Sequence, residues 1–146
     1  MPTITIIGGG ESANHYNYST IKGDVMVVNG AITLYPDAKY FIALDGLPYK
    51  MYAKELSKFN GVKFNDRQIS GTKQIPQYSE VNLSGYSAIR TAQELGYDKI
   101  QLIGFDAYGK INAQGLGDYT DDSHQRMINA CKDMDLIFLT KSAIKD

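Results

Sequence analysis

Three consecutive glycines directly after an apolar strand pattern are the part of this sequence best suited to chemistry. Residues 3–7 read Thr-Ile-Thr-Ile-Ile, and they are followed by Gly8, Gly9 and Gly10 and then by Ser12 at the head of a predicted helix. Glycines let backbone N–H groups approach an anion closely, and a helix N-terminus adds unpaired donors and a partial positive charge. This order predicts a phosphate-binding turn. A tight turn without a ligand is the alternative, since the segment matches neither a dinucleotide-binding motif nor a P-loop.

Polar residues also stand at the ends of three later apolar runs. Asn29, Asp45 and Asp106 each follow such a run and lie close to a glycine. Carboxylate oxygens are preferred ligands of Mg²⁺, which bridges phosphate oxygens, so Asp45 and Asp106 are candidate magnesium ligands. Their alternative role is to stabilise the turns after the strands, because Asp favours such turns without any metal.

The elements around these residues follow an alternating order. Apolar runs typical of buried strands cover residues 3–7, 25–28, 40–44, 100–103 and 136–139, and helical spacing covers residues 47–59, 84–95 and 121–134. Alternating strands and helices imply right-handed crossovers and a mostly parallel sheet covered on both faces. We therefore predict a single-domain, Rossmann-like, three-layer α/β/α fold over residues 1–146.

Two local features refine this prediction. Residues 62–64 have the pattern of an edge strand, and Ser84 is the predicted N-cap of the helix that Gly96 ends. Ligands of doubly wound sheets bind at the carboxyl ends of the strands, near the point where the strand order reverses. The polar strand-end residues are expected to meet the glycine turn and Ser84 at that edge.

Composition and charge exclude several classes of partner. The net charge of −1 and a pI of about 6.1 provide no basic surface for nucleic acid. No apolar run approaches the roughly 20 residues of a membrane span, so we expect a soluble, cytoplasmic protein.

The single cysteine, Cys131, excludes an internal disulfide, and its apolar neighbours suggest a core thiol.

Three segments, taken in chain order, resemble one known family. Residues 7–12, Ile-Gly-Gly-Gly-Glu-Ser, are similar to the N-terminal G-x-G-P-S turn of the sialyltransferase-like proteins, which include bacterial CMP-sialic acid transferases, MptE-like pterin diphosphokinases and many small phage proteins. Residues 84–89 and 95–106 resemble the family's S-G helix and its L-G-x-x-x-I-x-L-x-G-x-D stretch. Residues 142–144, Ser-Ala-Ile, resemble the closing S-x-L segment. The resemblance therefore covers nearly the whole chain.

The resemblance implies a nucleotide site. In the transferases the glycine turn and a strand-end Asn hold the phosphate and sugar, and the start of the S-G helix contacts the nucleotide. Two positions depart from the family, since Gly9 stands where many transferases have Asn and Glu11 where the family has Pro; residues 107–123 are also shorter than the family's lid. The implied nucleotide-binding set, with Asp45 added as a magnesium ligand, is Gly8, Gly9, Gly10, Ser12, Asn29, Asp45, Ser84 and Gly85.

The resemblance also implies a catalytic histidine. Ser123-His124 precedes a helix and is similar to the family's catalytic histidine segment, with a register shift of a residue or two. An imidazole with a pKa of about 6.5 can take a proton from a hydroxyl at neutral pH. His124 is therefore the candidate general base or acid, and Asp106, through its metal role, is the other candidate catalytic residue. A solvent-facing histidine in the first helical turn is the alternative.

The sequence leaves two functions open. One is a nucleotide-dependent transferase that moves a glycosyl or pyrophosphoryl group, with Mg²⁺ as its candidate cofactor. The other is a non-catalytic nucleotide- or sugar-nucleotide-binding protein. Both take a small nucleotide ligand, both leave a homo-oligomer open, and the similarity to phage proteins suggests a phage origin and the host cytoplasm as location.

Overall fold

The computed structural model describes residues 2–78, 81, 83–106 and 121–142, with residues 121–124 described only as part of a helix. Its seven strands pair in one sheet, and all six pairings are parallel. The α/β, Rossmann-like prediction is confirmed. The strands are β1 (Thr3–Ile7), β2 (Asp24–Val28), β3 (Tyr40–Ile42), β4 (Val62–Asn65), β5 (Lys73–Gln74), β6 (Lys99–Ile103) and β7 (Leu136–Phe138).

The helices differ in length on the two sides of the sheet. The α-helices are α1 (Leu47–Met51), α2 (Ala53–Ser57), α3 (Ser84–Glu94) and α4 (Asp121–Cys131), and 3₁₀ helices cover Glu11–His15, Tyr18–Thr20 and Asn29–Thr33. The prediction of one helix over residues 47–59 was wrong, because the chain breaks at Tyr52 with φ −108° and ψ 27°. Periodicity misses this break because apolar residues of both halves, Tyr49 and Leu56, face the same core cluster.

The strand order is β5-β4-β3-β2-β1-β6-β7. From β1 to β5 the chain steps in one direction, and to reach β6 and β7 it steps in the other, so right-handed crossovers place the connecting helices on opposite faces. On one face Ile7, Val27 and Phe41 pack against the 3₁₀ helices, α1 and α2. On the other, Ile4, Leu102 and their neighbours pack against α3 and α4. The reversal of strand order therefore lies between β1 and β6.

Two local predictions were wrong at the ends of elements. Residues 62–64 belong to β4, but β5 lies outside it, so β4 is not the edge strand. Ser84 is the first residue of α3 rather than its N-cap; Leu83 occupies that position without a capping side-chain hydrogen bond. A close contact between Gly85 and the ring of Phe105 accompanies this helix start instead. Among the described helices, none has the length and apolar character needed to cross a membrane.

Candidate functional site

The carboxyl ends of β2, β1 and β6 lie side by side. Ile7, the last residue of β1, pairs with Val27 on one side and with Ile103 on the other. The residues that follow these strands therefore leave the sheet at one edge, where the strand order reverses. This is the position at which doubly wound sheets bind their ligands.

The glycine turn is held by backbone contacts with the end of β6. Gly8 N–H donates to the carbonyl of Ile103 at 2.7 Å, and Gly10 N–H donates to the carbonyl of Gly104 at 2.6 Å. A Cβ on Gly10 would lie 2.5 Å from the carbonyl oxygen of Gly104 and would overlap the carboxylate of Asp106. The close approach of two chain segments thus explains why glycine stands at position 10.

Asp106 stabilises the start of the first 3₁₀ helix, which runs from residue 11 to residue 15. Its Oδ2 accepts a hydrogen bond from Ser12 N–H at 2.9 Å, and its Oδ1 accepts one from the Ser12 hydroxyl. The side chain is only 3% exposed. A carboxylate of the chain itself therefore occupies the helix start at which the sequence predicts a phosphate. The turn-stabilising role is observed, and a catalytic role for Asp106 stays a prediction.

Phe105 joins the glycine turn to α3. A Cβ placed on Gly8 or on Gly85 would lie 2.9 Å from opposite edges of the Phe105 ring. The two glycines therefore face the same aromatic side chain, and half-buried Ser84 stands next to Gly85 at the start of α3. Sequence reasoning missed Phe105. Its place between Gly104 and Asp106, directly after an apolar strand, could have indicated a residue of the same sheet edge.

Asn29 has an oxygen without a partner. Its backbone adopts φ 51°, in the left-handed region, directly after β2. Its Oδ1 is buried and accepts no hydrogen bond from any described residue. Apart from this atom, the described residues leave one buried side-chain oxygen unpaired, Thr91 Oγ1 within α3. Asn29 is therefore the unpaired polar group of the carboxyl edge.

Asp45 follows β3 with a similar backbone, φ 55°, but it is exposed and has partners. Its Oδ1 accepts from Leu47 N–H at 3.3 Å at the start of α1, and its own N–H donates to Asp66 Oδ1 at 3.2 Å. The fully buried Asn65 donates from Nδ2 to the carbonyls of Ala43 at 2.8 Å and Asp45 at 2.7 Å.

Sequence reasoning missed Asn65 because β4 was taken as an edge strand. The signal was present, since Asn65 follows the apolar Phe64 just as the other strand-end residues follow their runs. Asn65 Oδ1 also accepts from Arg67 N–H at 2.8 Å. This one side chain therefore holds the turns after β3 and β4 together.

Asp45 and Asp106 do not lie at one metal position. Their strands, β3 and β6, are separated by β2 and β1, which amounts to three strand spacings or roughly 14 Å. Asp106 is bonded to Ser12 in the turn after β1, and Asp45 is bonded to Leu47 and to Asp66 after β4, so the two carboxylates belong to separate turns. A single Mg²⁺ needs its oxygen ligands at about 2.1 Å. The described residues contain no group of three or more His, Cys, Asp or Glu side chains suited to a metal. The pair does not fit one shared ion, although either residue's magnesium role stays a prediction.

Charges beside the glycine turn are paired at the surface. His15 Nε2 lies 3.0 Å from Glu11 Oε1 within the first 3₁₀ helix. The hydrogen bond and charge of His15 hold the pKa of Glu11 below its usual range. Both side chains are exposed, so this pair contributes little to stability.

The predicted base lies in α4. The backbone of His124 belongs to the first turn of that helix, whereas its side chain and residues 107–120 lie outside the described residues. Met127, three residues further on, approaches the position of a Gly85 Cβ to 3.6 Å. α4 thus packs beside the start of α3, and the catalytic role of His124 stays a prediction.

Comparisons with family models, with curated proteins and with solved structures found no match to this chain. The similarity to the sialyltransferase-like proteins therefore rests on the sequence segments alone. What is established for this chain is the Rossmann-like α/β fold and the geometry of its carboxyl edge.

Proposed function

We propose that the chain is a nucleotide-dependent transferase of the sialyltransferase-like type, which binds a nucleotide or nucleotide sugar between Asn29 and the start of α3. The observation that carries the proposal is the unpaired, buried Oδ1 of Asn29 at the reversal of strand order. Ligands of this fold bind at that edge. The packing of Gly85 against Phe105 supports it, because the start of α3 then borders the same edge.

The chemistry of Asn29 indicates which part of the nucleotide lies beside it. A buried oxygen without a hydrogen bond destabilises a fold by about 1–3 kcal/mol, so a ligand that supplies a donor would relieve this cost. An amide oxygen only accepts, and a nucleotide phosphate at neutral pH carries few protons to donate. A sugar hydroxyl or a base N–H is therefore the group that suits Asn29.

Transfer would require a proton acceptor near the bound nucleotide. In the proposed reaction, His124 takes the proton of an acceptor hydroxyl while that oxygen bonds to the transferred group and the nucleotide phosphate leaves. Mg²⁺, if required, would accompany the phosphates of the donor and would not be held by Asp45 and Asp106 together. No step of the proposal depends on the metal.

One observation favours the second function, nucleotide binding without turnover. Both carboxylate oxygens of Asp106 accept hydrogen bonds from Ser12, and the side chain is almost fully buried. A carboxylate held in this way is poorly placed to exchange protons with a substrate. The chain would then present a nucleotide to another protein.

Binding is tested with two matched variants. Asn29→Gly and Asp45→Gly each place glycine at a position with positive φ, so neither strains the backbone. Calorimetric titration with CMP, CMP-sugars, ATP and pterins, with and without Mg²⁺, should show at least about tenfold weaker binding for Asn29→Gly alone. Equal affinity of Asn29→Gly and the wild-type chain would move the site away from Asn29.

Turnover separates the two functions. With a donor that binds, His124→Ala should lower the transfer rate by about 100-fold or more and leave affinity unchanged. Absence of any transfer by the wild-type chain would favour the binding protein. For Asp106, Ser12→Ala is the matched control: if both it and Asp106→Asn lower the melting temperature without changing the rate per folded molecule, Asp106 only holds the turn.

A further inference from the structure

A groove of about 540 Å³ lies on the sheet face that carries the 3₁₀ helices. It opens over the amino halves of β1 and β6, where Thr3, Lys99 and Gln101 form its floor. The crossovers into β6 and β7 use α3 and α4, which lie on the other face. The side chains of Lys99 and Ile137 are accordingly exposed, and this part of a parallel sheet is open to a ligand.

Three of the side chains that line the groove, Lys22, Lys99 and Gln101, carry N–H donors. Lys22 and Lys99 both line it, and neither forms an ion pair with a described carboxylate. Gln101 Oε1 accepts from the Thr5 hydroxyl at 3.2 Å, which leaves the amide N–H₂ of Gln101 for the groove. The described lining contains no carboxylate. An acceptor-rich anion therefore complements this surface.

The acidic residue closest to Lys22 in sequence is bound on the opposite face. Asp24 Oδ2 accepts from the Tyr97 hydroxyl and lies 3.3 Å from Lys39 Nζ. Tyr97 packs against the core cluster of α3, on the other side of the sheet. The carboxylate of Asp24 therefore does not neutralise the lysines of the groove.

We propose that this groove binds a small organic phosphate at a second site. Two ammonium groups match the two charges of a phosphate monoester, and Tyr16, Ile21 and Leu139 supply an apolar wall for its organic part. The volume lies within the roughly 300–1,000 Å³ of small-ligand pockets. A second copy of this chain would bring lysines against lysines across a two-fold axis, which charge repulsion opposes.

The second site is separate from the carboxyl edge. Thr3 begins β1, and the glycine turn follows the end of that strand, so the two sites lie roughly 16 Å apart at about 3.3 Å per residue. The proposal therefore does not depend on the nucleotide site. It also predicts a ligand response confined to different residues.

The test is a titration of the full ¹⁵N-labelled chain with phenyl phosphate, followed through backbone amide shifts. Saturable shifts are expected at Ile21, Gly23 and Gln101, with a Kd of about 1 mM or below. Inorganic phosphate should move the same amides but bind several-fold more weakly, because it lacks the organic part. Equal affinity for the two probes would overturn the apolar half of the proposal.

A matched pair of double variants decides the role of the lysines. Lys22→Gln/Lys99→Gln should weaken phenyl phosphate binding at least tenfold, whereas Lys54→Gln/Lys58→Gln, which removes two exposed lysines near α2, should not change it. Unchanged binding in the first variant would overturn the proposal. So would shifts confined to residues 8–10, or shifts of equal size at every exposed lysine.

Discussion

Asn29 and Asp45 follow neighbouring strands at the same edge of the sheet, and their φ angles, 51° and 55°, are nearly equal. Asp45 is exposed, and its carboxylate stabilises the start of α1 through Leu47 N–H. Asn29 Oδ1 is buried and has no partner among the described residues. At the end of β3 the chain itself supplies the hydrogen-bond partners of Asp45, whereas at the end of β2 the Oδ1 acceptor of Asn29 is unpaired among the described residues.

The difference shows what a strand-end polar residue does and does not imply. Asn and Asp tolerate the left-handed region, so the turn alone explains why either residue follows a strand. The turn does not explain a buried oxygen that no donor reaches. We therefore infer that Asn29 marks a ligand position and that Asp45 serves the turn, and the following variants test this contrast in order of expected effect.

The glycines at the two strand ends should respond most differently to alanine. A Cβ on Gly10 would overlap Asp106 and crowd the carbonyl of Gly104, whereas a Cβ on Gly46 would meet no atom within 4 Å. Gly10→Ala should lower the free energy of unfolding by about 3 kcal/mol, and Gly46→Ala should change it by less than about 1 kcal/mol. Denaturant titration measures both. Similar values would show that the turn at β1 can relax.

Removal of Asn65 should have the next largest effect. Asn65→Leu leaves the buried carbonyl of Ala43 and the partly buried carbonyl of Asp45 without this donor, and we expect a loss of about 2 kcal/mol. The control Asp66→Ala removes only the exposed contact to Asp45 N–H, so its loss should be below about 0.5 kcal/mol. If Asn65→Leu is as stable as wild type, the turn at Asp45 needs no support from β4.

Asn29→Gly should be more stable to unfolding than Asp45→Gly. In both variants glycine removes the strain of a left-handed backbone and raises the conformational entropy of the unfolded chain. These two contributions to the free energy of unfolding are therefore nearly equal in the two variants. Asn29→Gly also removes an unpaired oxygen, and Asp45→Gly removes a helix-start hydrogen bond. The free energy of unfolding of Asn29→Gly should exceed that of Asp45→Gly by about 1 kcal/mol. The reverse order would make Asn29 a structural residue.

The smallest expected effect is at Asp24, at the amino edge of the sheet, and it depends on pH. The Tyr97 hydroxyl, and then Lys39, hold the pKa of Asp24 below its usual range, so Asp24 stabilises the folded state above about pH 4 and loses this as pH falls through its lower folded-state pKa. Tyr97→Phe should lower the melting temperature more at pH 6 than near pH 3. Because the Asp24 side chain is still 37% exposed to solvent, we expect less than about 1 kcal/mol. The Tyr97 hydroxyl also lies 2.9 Å from the Tyr40 hydroxyl, and an equal loss at both pH values would assign the effect to that hydrogen bond instead.

Sequence pattern predicted most elements because apolar periodicity directly reflects which side chains are buried. β1, β2, α3 and β6 were predicted within one residue at every end, and Cys131 is buried as expected, where burial raises its pKa to about 11. The exceptions depend on contacts between distant segments. The break at Tyr52 and the outer position of β5 are examples, since neither changes the apolar period.

For the candidate site, the sequence by itself determined which residues stand at the strand ends, whereas the need for glycine at position 10 comes from its close approach to Gly104 and Asp106. Only the tertiary structure decided their partners. Asp106 reaches the helix start at Ser12 from 94 residues away, and the strand order puts β2 and β1 between β6 and the strand β3 that precedes Asp45. Local sequence sets the backbone conformation at each strand end, but strand order determines which strand ends are neighbours and therefore which polar groups can meet.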